Sequence, residues 1–356
     1  MKKKFALLLA GVILLTSCTL FEAPDDVPVN LEHQEAQITP LPDDSAHSAE
    51  EDTPVFTPVL VPEPADVPPP EYSAINSGGV YMYNLETGTA VYKRNEHERF
   101  PPASIAKIMT MLVVLENVPD LNQLVEVTDE AFADFDSGDP NFDGAAIAWI
   151  EPGQANLTYL DVLYALMLPS GCEAANILAY NAGGRNIAAF IDMMNEKAAE
   201  LGCLNTNFTN ASGLYEEDFY SSAYDMFLIT KHTYEKHPLL MQISEKPSYS
   251  MPPNAERPDG YNVRNANAGL WLIHELDFAT GIKIGSIYEY FHGGVRLDGF
   301  TTFVSKADRD GMSFLTVSLG ADYYDEDGNW AGYHYEDHAV LYEWAYETFG
   351  VEFEIS

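Results

Sequence analysis

Basic residues are what this 356-residue chain has least of: 18 Lys and Arg stand against 55 Asp and Glu, a formal charge of −37. Phosphate binding needs basic surface, so a nucleic-acid partner is excluded. The acidic excess reads instead as solubility outside the cell. Cysteine is scarce too, with only Cys18, Cys172 and Cys203. A Cys172–Cys203 bridge and two buried thiols are both open readings of the later pair. The apolar run from Phe5 to Leu15 is too short to span a bilayer, which excludes a transmembrane helix there. Residues 19–72 lack Lys and Arg altogether and hold half of the 22 prolines.

Each scarcity has a counterpart. Lys2, Lys3 and Lys4 precede the short apolar run, giving residues 1–18 the form of a cleaved export signal. Its end, Leu15-Thr16-Ser17-Cys18, resembles a bacterial lipoprotein box. That resemblance implies a lipidated Cys18 and anchorage to the outer face of the bacterial cell membrane. Residues 19–72 cannot bury enough apolar surface to offset their ordering entropy. They are expected to form a disordered, self-repelling acidic tether. Residues 73–356 should then form the folded, catalytic domain.

Within it, Gly79–Asn84 and Thr89–Arg94 alternate as the strands of a hairpin. Helical periodicity marks the stretches after Ser104, from Leu157 to Leu168, from Asn186 to Leu201 and from Ala223 to His237. A short strand is expected near Leu124 to Val127. Strands return at Thr280–Gly285, Gly299–Ser305 and Ser313–Gly320, before a closing helix near Ala339 to Phe349. Strands at both ends with helices between predict an α+β domain, its antiparallel sheet assembled from distant parts of the chain. Asp134, Asp136, Asp139 and Asp143 suggest calcium, but the full twelve-residue loop with its terminal glutamate is missing. A solvated loop is the expectation, with no metal and no cofactor.

The chemistry concentrates at Pro101-Pro102-Ala103-Ser104-Ile105-Ala106-Lys107. A helix starting near Ser104 puts Ser104 and Lys107 on one face, in front of a buried apolar run. An N-cap serine and a snorkelling lysine would look the same in these four letters. A serine hydroxyl is a poor nucleophile unless a neighbouring amine takes its proton. That amine must itself be neutral, its pKa lowered by desolvation or by a nearby cation.

Two further elements complete a pattern. Ser104/Lys107, Ser170/Gly171/Cys172 and Lys283/Ile284/Gly285 occur in the order Ser-x-x-Lys, Ser-x-Asn, Lys-Thr-Gly. So arranged, the chain resembles the serine D-alanyl-D-alanine carboxypeptidases, the low-molecular-mass penicillin-binding proteins. The likeness covers about residues 75 to 350. It implies the DD-peptidase/β-lactamase-like fold, peptidoglycan stem peptides as substrate and β-lactams as covalent inhibitors. By the same resemblance Ser104 is the nucleophile, Lys107 its base and Ser170 the proton relay to the leaving amine. Lys283 would supply the field that neutralises Lys107 and attract the substrate carboxylate. Gly285, Ser286 and Cys172 would line the substrate site, with the Ser104 and Ser286 N–H groups as oxyanion hole.

This chain departs from the pattern where Cys172 replaces asparagine and where Ile284 and Ile287 replace threonines. Turnover is accordingly expected to be slow. A class A β-lactamase reading lacks its Ser-Asp-Asn and its deacylating glutamate. A tethered wall-binding relic, with the pocket kept and turnover lost, is the non-enzymatic alternative.

Overall fold

The computed structural model describes residues 69–132, 145–269, 276–292 and 295–349, all within one unit, Pro62–Ser356. The expected signal, Cys18, most of the tether and the aspartate-rich stretch 134–143 lie outside the described residues. Among the described residues no helix is long and apolar enough to cross a membrane, and no cluster of three acidic, His or Cys side chains is placed to hold a metal.

The first strands, β1 (Gly79–Asn84) and β2 (Thr89–Arg94), form the expected hairpin; its turn closes at Gly88, which takes φ 69°. A 3₁₀ turn, Ala103–Ala106, then leads into α1 (Lys107–Asn117). From Ile108 to Val114 α1 is buried on every side, so it is the central helix of the domain. Helix α2 (Tyr159–Met167) starts on a capping box in which Thr158 and Asp161 satisfy each other's backbone N–H. After α3 (Cys172–Ala182) come α4 (Ile187–Glu200), capped by Asn186, and α5 (Ala223–Lys236), capped by Ser222. A short α6 (Leu239–Ser244) precedes a small hairpin of β3 (Ser248–Met251) and β4 (Tyr261–Arg264).

The chain then returns to the main sheet with β5 (Ala279–His292), β6 (Val295–Arg309) and β7 (Met312–Asp322), and ends in α7 (Tyr333–Phe349). The sheet order is β2-β1-β7-β6-β5, antiparallel throughout, with β1 from the start of the domain beside β7 from its end. Alternation divides the side chains between two faces. Tyr81, Leu315 and Val317 join the helical core, against which α5 and α6 pack. Val80, Met82 and Phe314 join a second core under α7.

Three expectations at the level of elements are corrected. Leu124 to Val127 is not a strand; Leu124 makes only an isolated bridge to Thr158. The closing helix begins at Tyr333 rather than near Ala339. Ser104 lies in a 3₁₀ turn before the α-helix rather than in its first turn, and makes no N-cap bond.

Candidate active site

The Ala103–Ala106 turn keeps the three-residue spacing that matters. Lys107 Nζ lies 2.9 Å from Ser104 Oγ. The Lys107 side chain is fully buried, whereas Ser104 is half-buried and so reachable from outside. Nζ has two more neighbours, the Ser212 carbonyl, to which it donates, and Cys172 Sγ at 3.5 Å. A neutral amine has two N–H bonds and one lone pair. Three neighbours use these up if the lone pair faces Ser104 Oγ–H. Burial holds the Lys107 pKa below the usual lysine range, while Cys172 and the Glu173 carboxyl push it the other way. Lys283 is also fully buried, and burial followed by repulsion from Lys107 takes its pKa well below the ordinary value. Desolvation, rather than the field expected from Lys283, is therefore the chief cause of the lowered Lys107 pKa.

The edge strand β5 lines the other side of the serine. A Cβ on Gly285 would meet Ser104 N at 2.7 Å and Thr302 Oγ1 at 2.4 Å, so only glycine permits this approach. Thr302 Oγ1 also donates to the Pro102 carbonyl at 2.9 Å, fastening the turn to the sheet. A bulge between Gly281 and Lys283 turns the strand locally. Buried Asn267 secures it: its Oδ1 accepts from Ile284 N at 2.8 Å, and its Nδ2 donates to the Met167 carbonyl at 2.9 Å. Since Ile284 N points off the free edge, alternation puts Ser286 N on that edge as well. Lys283, Gly285 and Ile287 share the face toward the turn. Ile284, partly buried, packs against the core under α7, opposite Phe303.

Two more segments close the recess. Asn210 Oδ1 accepts from Ser212 N at 3.2 Å, Ser212 Oγ at 3.2 Å and Gly213 N at 2.8 Å, a compact turn that aims the Ser212 carbonyl at Lys107. Gly213, at φ 84°, lies so close that a Cβ would stand 2.2 Å from the Ala103 carbonyl. At the mouth of α3, Ser170 holds φ 68°, strained for a residue with a side chain. It is buried two positions before Cys172, whose thiol meets Lys107; the backbone thus brings Ser170 to the rim of the same recess. Glu173 follows, 1% exposed, its Oε1 accepting from Ala148 N and Ile150 N. Burial raises its pKa to about 7.

The structure thus brings together Ser104, Lys107, Cys172, Lys283, Gly285 and the Ser170 backbone, with Ser286 exposed at the strand edge. The Cys172–Cys203 bridge is not formed; both thiols are free and buried. Cys203 Sγ donates to the Asp225 carbonyl at 3.6 Å instead, and burial pushes its pKa to about 12. The sequence marks 205–214 as a loop, with Ser212-Gly213-Leu214 part of the family resemblance, but assigns no role to Asn210, Ser212, Gly213, Thr302, Asn267 or Glu173. The Asn-x-Ser-Gly turn signal at 210–213 was visible; the others gain meaning only from what they touch.

Comparison with known proteins places the fold. The peptidase S11 family model, D-alanyl-D-alanine carboxypeptidase, matches residues 65–323. D-alanyl-D-alanine carboxypeptidase DacF of Bacillus subtilis is 36% identical over 150 residues, 42% of this chain and 37% of that one. DacD of Escherichia coli is 29% identical over 261 residues, 71% of this chain and 60% of that one. The chain therefore spans less than two thirds of the length of either relative. Among solved structures, the Streptomyces K15 DD-transpeptidase superposes with a TM-score of 0.64 at 25% identity, covering 79% of this chain and 99% of that one. With a family model matched over most of its length, and a serine, a buried lysine and a second lysine gathered in one recess, the chain belongs to the D-alanyl-D-alanine carboxypeptidase family, peptidase S11.

Proposed function

We propose that this chain is an extracytoplasmic serine carboxypeptidase that removes the terminal D-alanine of peptidoglycan stem peptides through an acyl-enzyme. The observation that carries this reading is the fully buried Lys107 amine 2.9 Å from Ser104 Oγ, with burial favouring its neutral form. Its lone pair takes the hydroxyl proton as Oγ attacks the carbonyl of the penultimate D-alanine. The N–H groups of Ser104 and Ser286 receive the oxyanion. Ser170 passes a proton to the departing D-alanine amine, and water then releases the shortened peptide. Lys283 meets the terminal carboxylate, which returns to that amine the opposite charge it lacks in the empty site.

Cys172 does not argue against turnover. Against Lys107 the thiol offers a weak partner at 3.5 Å and leaves the lone pair for Ser104. For placement, we read Cys18 as a lipid anchor and residues 19–72 as the spacer that reaches the wall. A Cys18→Ser chain should lose incorporation of labelled fatty acid and its membrane association.

Labelling by a fluorescent penicillin, paired with a D-alanine release assay, tests the catalytic reading. The native chain should label and release D-alanine, and Ser104→Ala and Lys107→Ala should each do neither. Labelling without release would favour the wall-binding relic, and fast hydrolysis of the penicillin a β-lactamase.

A further inference from the structure

Beside the catalytic recess stands an exposed cluster that is braced from several directions. Residues 147–150 alternate: Ala148 and Ile150 face inward, their N–H groups directed at Glu173 Oε1, while Ile147 and Trp149 face out. Trp149 is 41% exposed yet holds φ 56°, a left-handed backbone that bulky residues seldom adopt. Its carbonyl accepts from Asn254 Nδ2 at 2.9 Å and from the Tyr261 hydroxyl at 3.3 Å. The Glu151 carboxylate accepts from Ala255 N and Glu256 N, at 3.0 and 3.1 Å. Gln154 and Asn156 both donate to the Pro253 carbonyl. On this frame the Arg257 guanidinium lies 5.4 Å from the ring centres of Trp149 and of Tyr261.

The frame is mounted on the catalytic turn. Cys172 N donates to the Ala146 carbonyl at 2.8 Å, and a Cβ on Gly171 would lie 3.0 Å from Ala148 Cβ. The shelf therefore rises from the rim of the recess at Ser170. It combines a part-exposed indole, one face of which carries the guanidinium, with a positive charge in a molecule of charge −37. Glu256 engages Arg257 only through Nη1, at 3.4 Å, and a guanidinium has five donors.

We propose that this shelf is a subsite for the sugar-linked part of the wall polymer: Trp149 stacks on the apolar face of a pyranose ring and Arg257 binds a stem-peptide carboxylate. This deepens the reading above and rests on it. An aromatic face suits C–H-rich sugar faces, and a planar fork of N–H donors suits a carboxylate. The left-handed φ at Trp149 makes the test clean, because glycine there removes the ring and relieves the backbone.

D-alanine release is measured on three substrates: a short diacylated tripeptide ending in D-Ala-D-Ala, the free pentapeptide, and the disaccharide-linked pentapeptide. The native chain should prefer them in rising order. Trp149→Gly should cut the preference for the disaccharide-linked over the free pentapeptide about tenfold. Arg257→Gln should cut that for the pentapeptide over the tripeptide by a similar factor. Circular dichroism melts show that each variant is folded. Equal loss on all three substrates, or no loss on any, overturns the subsite. If the native chain releases D-alanine from none of them, the proposed activity fails separately. The subsite is then read by equilibrium binding of the same three compounds to Ser104→Ala, with and without Trp149→Gly; equal affinities overturn it.

Discussion

In the proposed mechanism Lys107 must be neutral to act, and burial lowers its pKa against the opposing pull of Cys172 and Glu173. Acylation should therefore rise with pH and level off below the usual lysine range. Glu173→Gln removes one of the opposing charges, so its rising limb should lie at lower pH than the native one. The profile of second-order acylation by benzylpenicillin checks both; identical limbs would mean that Glu173 has no electrostatic hold on Lys107. The isoleucines separate at the same scale. Ile287 shares the site face with Lys283 and Gly285, whereas Ile284 is packed under α7. Ile287→Thr should raise kcat/KM for a D-Ala-D-Ala peptide about tenfold or more, as a hydrogen bond to a charged group contributes about 1.5–3 kcal/mol. Ile284→Thr should instead leave turnover little changed and lower the melting temperature slightly, because it removes apolar contact with the core under α7.

Among the elements, the site depends on one close backbone approach and one braced bulge. Gly213→Ala would place a Cβ 2.2 Å from the Ala103 carbonyl at φ 84°. It should destabilise the fold by about 2–3 kcal/mol and slow acylation, because the Ala103–Ser104 backbone must move. Urea unfolding and labelling rates read the two effects. The bulge of β5 is fixed by Asn267, which joins Ile284 N to the end of α2. Loss of that side chain leaves two buried backbone groups without a partner. Asn267→Ala should cost about 2–4 kcal/mol and loosen Lys283, which a KM effect on the D-Ala-D-Ala peptide would reveal.

At the scale of the whole molecule, the two ends of the domain are tied together across the sheet. Asp337 on α7 accepts from Asn76 N at 2.8 Å, Ser77 N at 2.7 Å and Ser77 Oγ at 2.5 Å. Nearby, buried His338 bridges Ser305 Oγ and Ser318 Oγ, at 2.7 and 3.0 Å. Burial holds the His338 pKa well below 6.5. As pH falls through 6.5 the unfolded chain gains a proton that the folded one does not, so stability is lost on the acid side. Glu173 acts in the opposite sense: its folded pKa is raised, so its contribution is lost as pH climbs toward 7. Thermal melts of the native chain and His338→Asn between pH 5 and 7.5 separate the two. The native chain should lose more stability on acidification than the variant, and parallel curves would remove His338 as the cause.

Much of this was legible along the chain. The hairpin at 79–94 follows from alternation. The helices at 159–167, 187–200 and 223–236 follow from apolar periodicity, with Thr158, Asn186 and Ser222 as caps. The pairing of Ser104 with Lys107 follows from helical spacing, which 3₁₀ and α turns share closely enough to preserve it. These are local properties, set by a few neighbouring residues and by steric rules that act within one or two turns. What tertiary structure decided is whatever depends on partners far apart in sequence. Burial, which no spacing reports, lowers the Lys107 pKa. Side-chain direction across a bulged strand put Ile287 at the site and Ile284 behind it, and packing kept Cys172 and Cys203 apart as thiols. Asn267, Thr302 and Glu173 are ordinary letters in the sequence. They matter because the fold seals them against backbone groups that have no water to turn to.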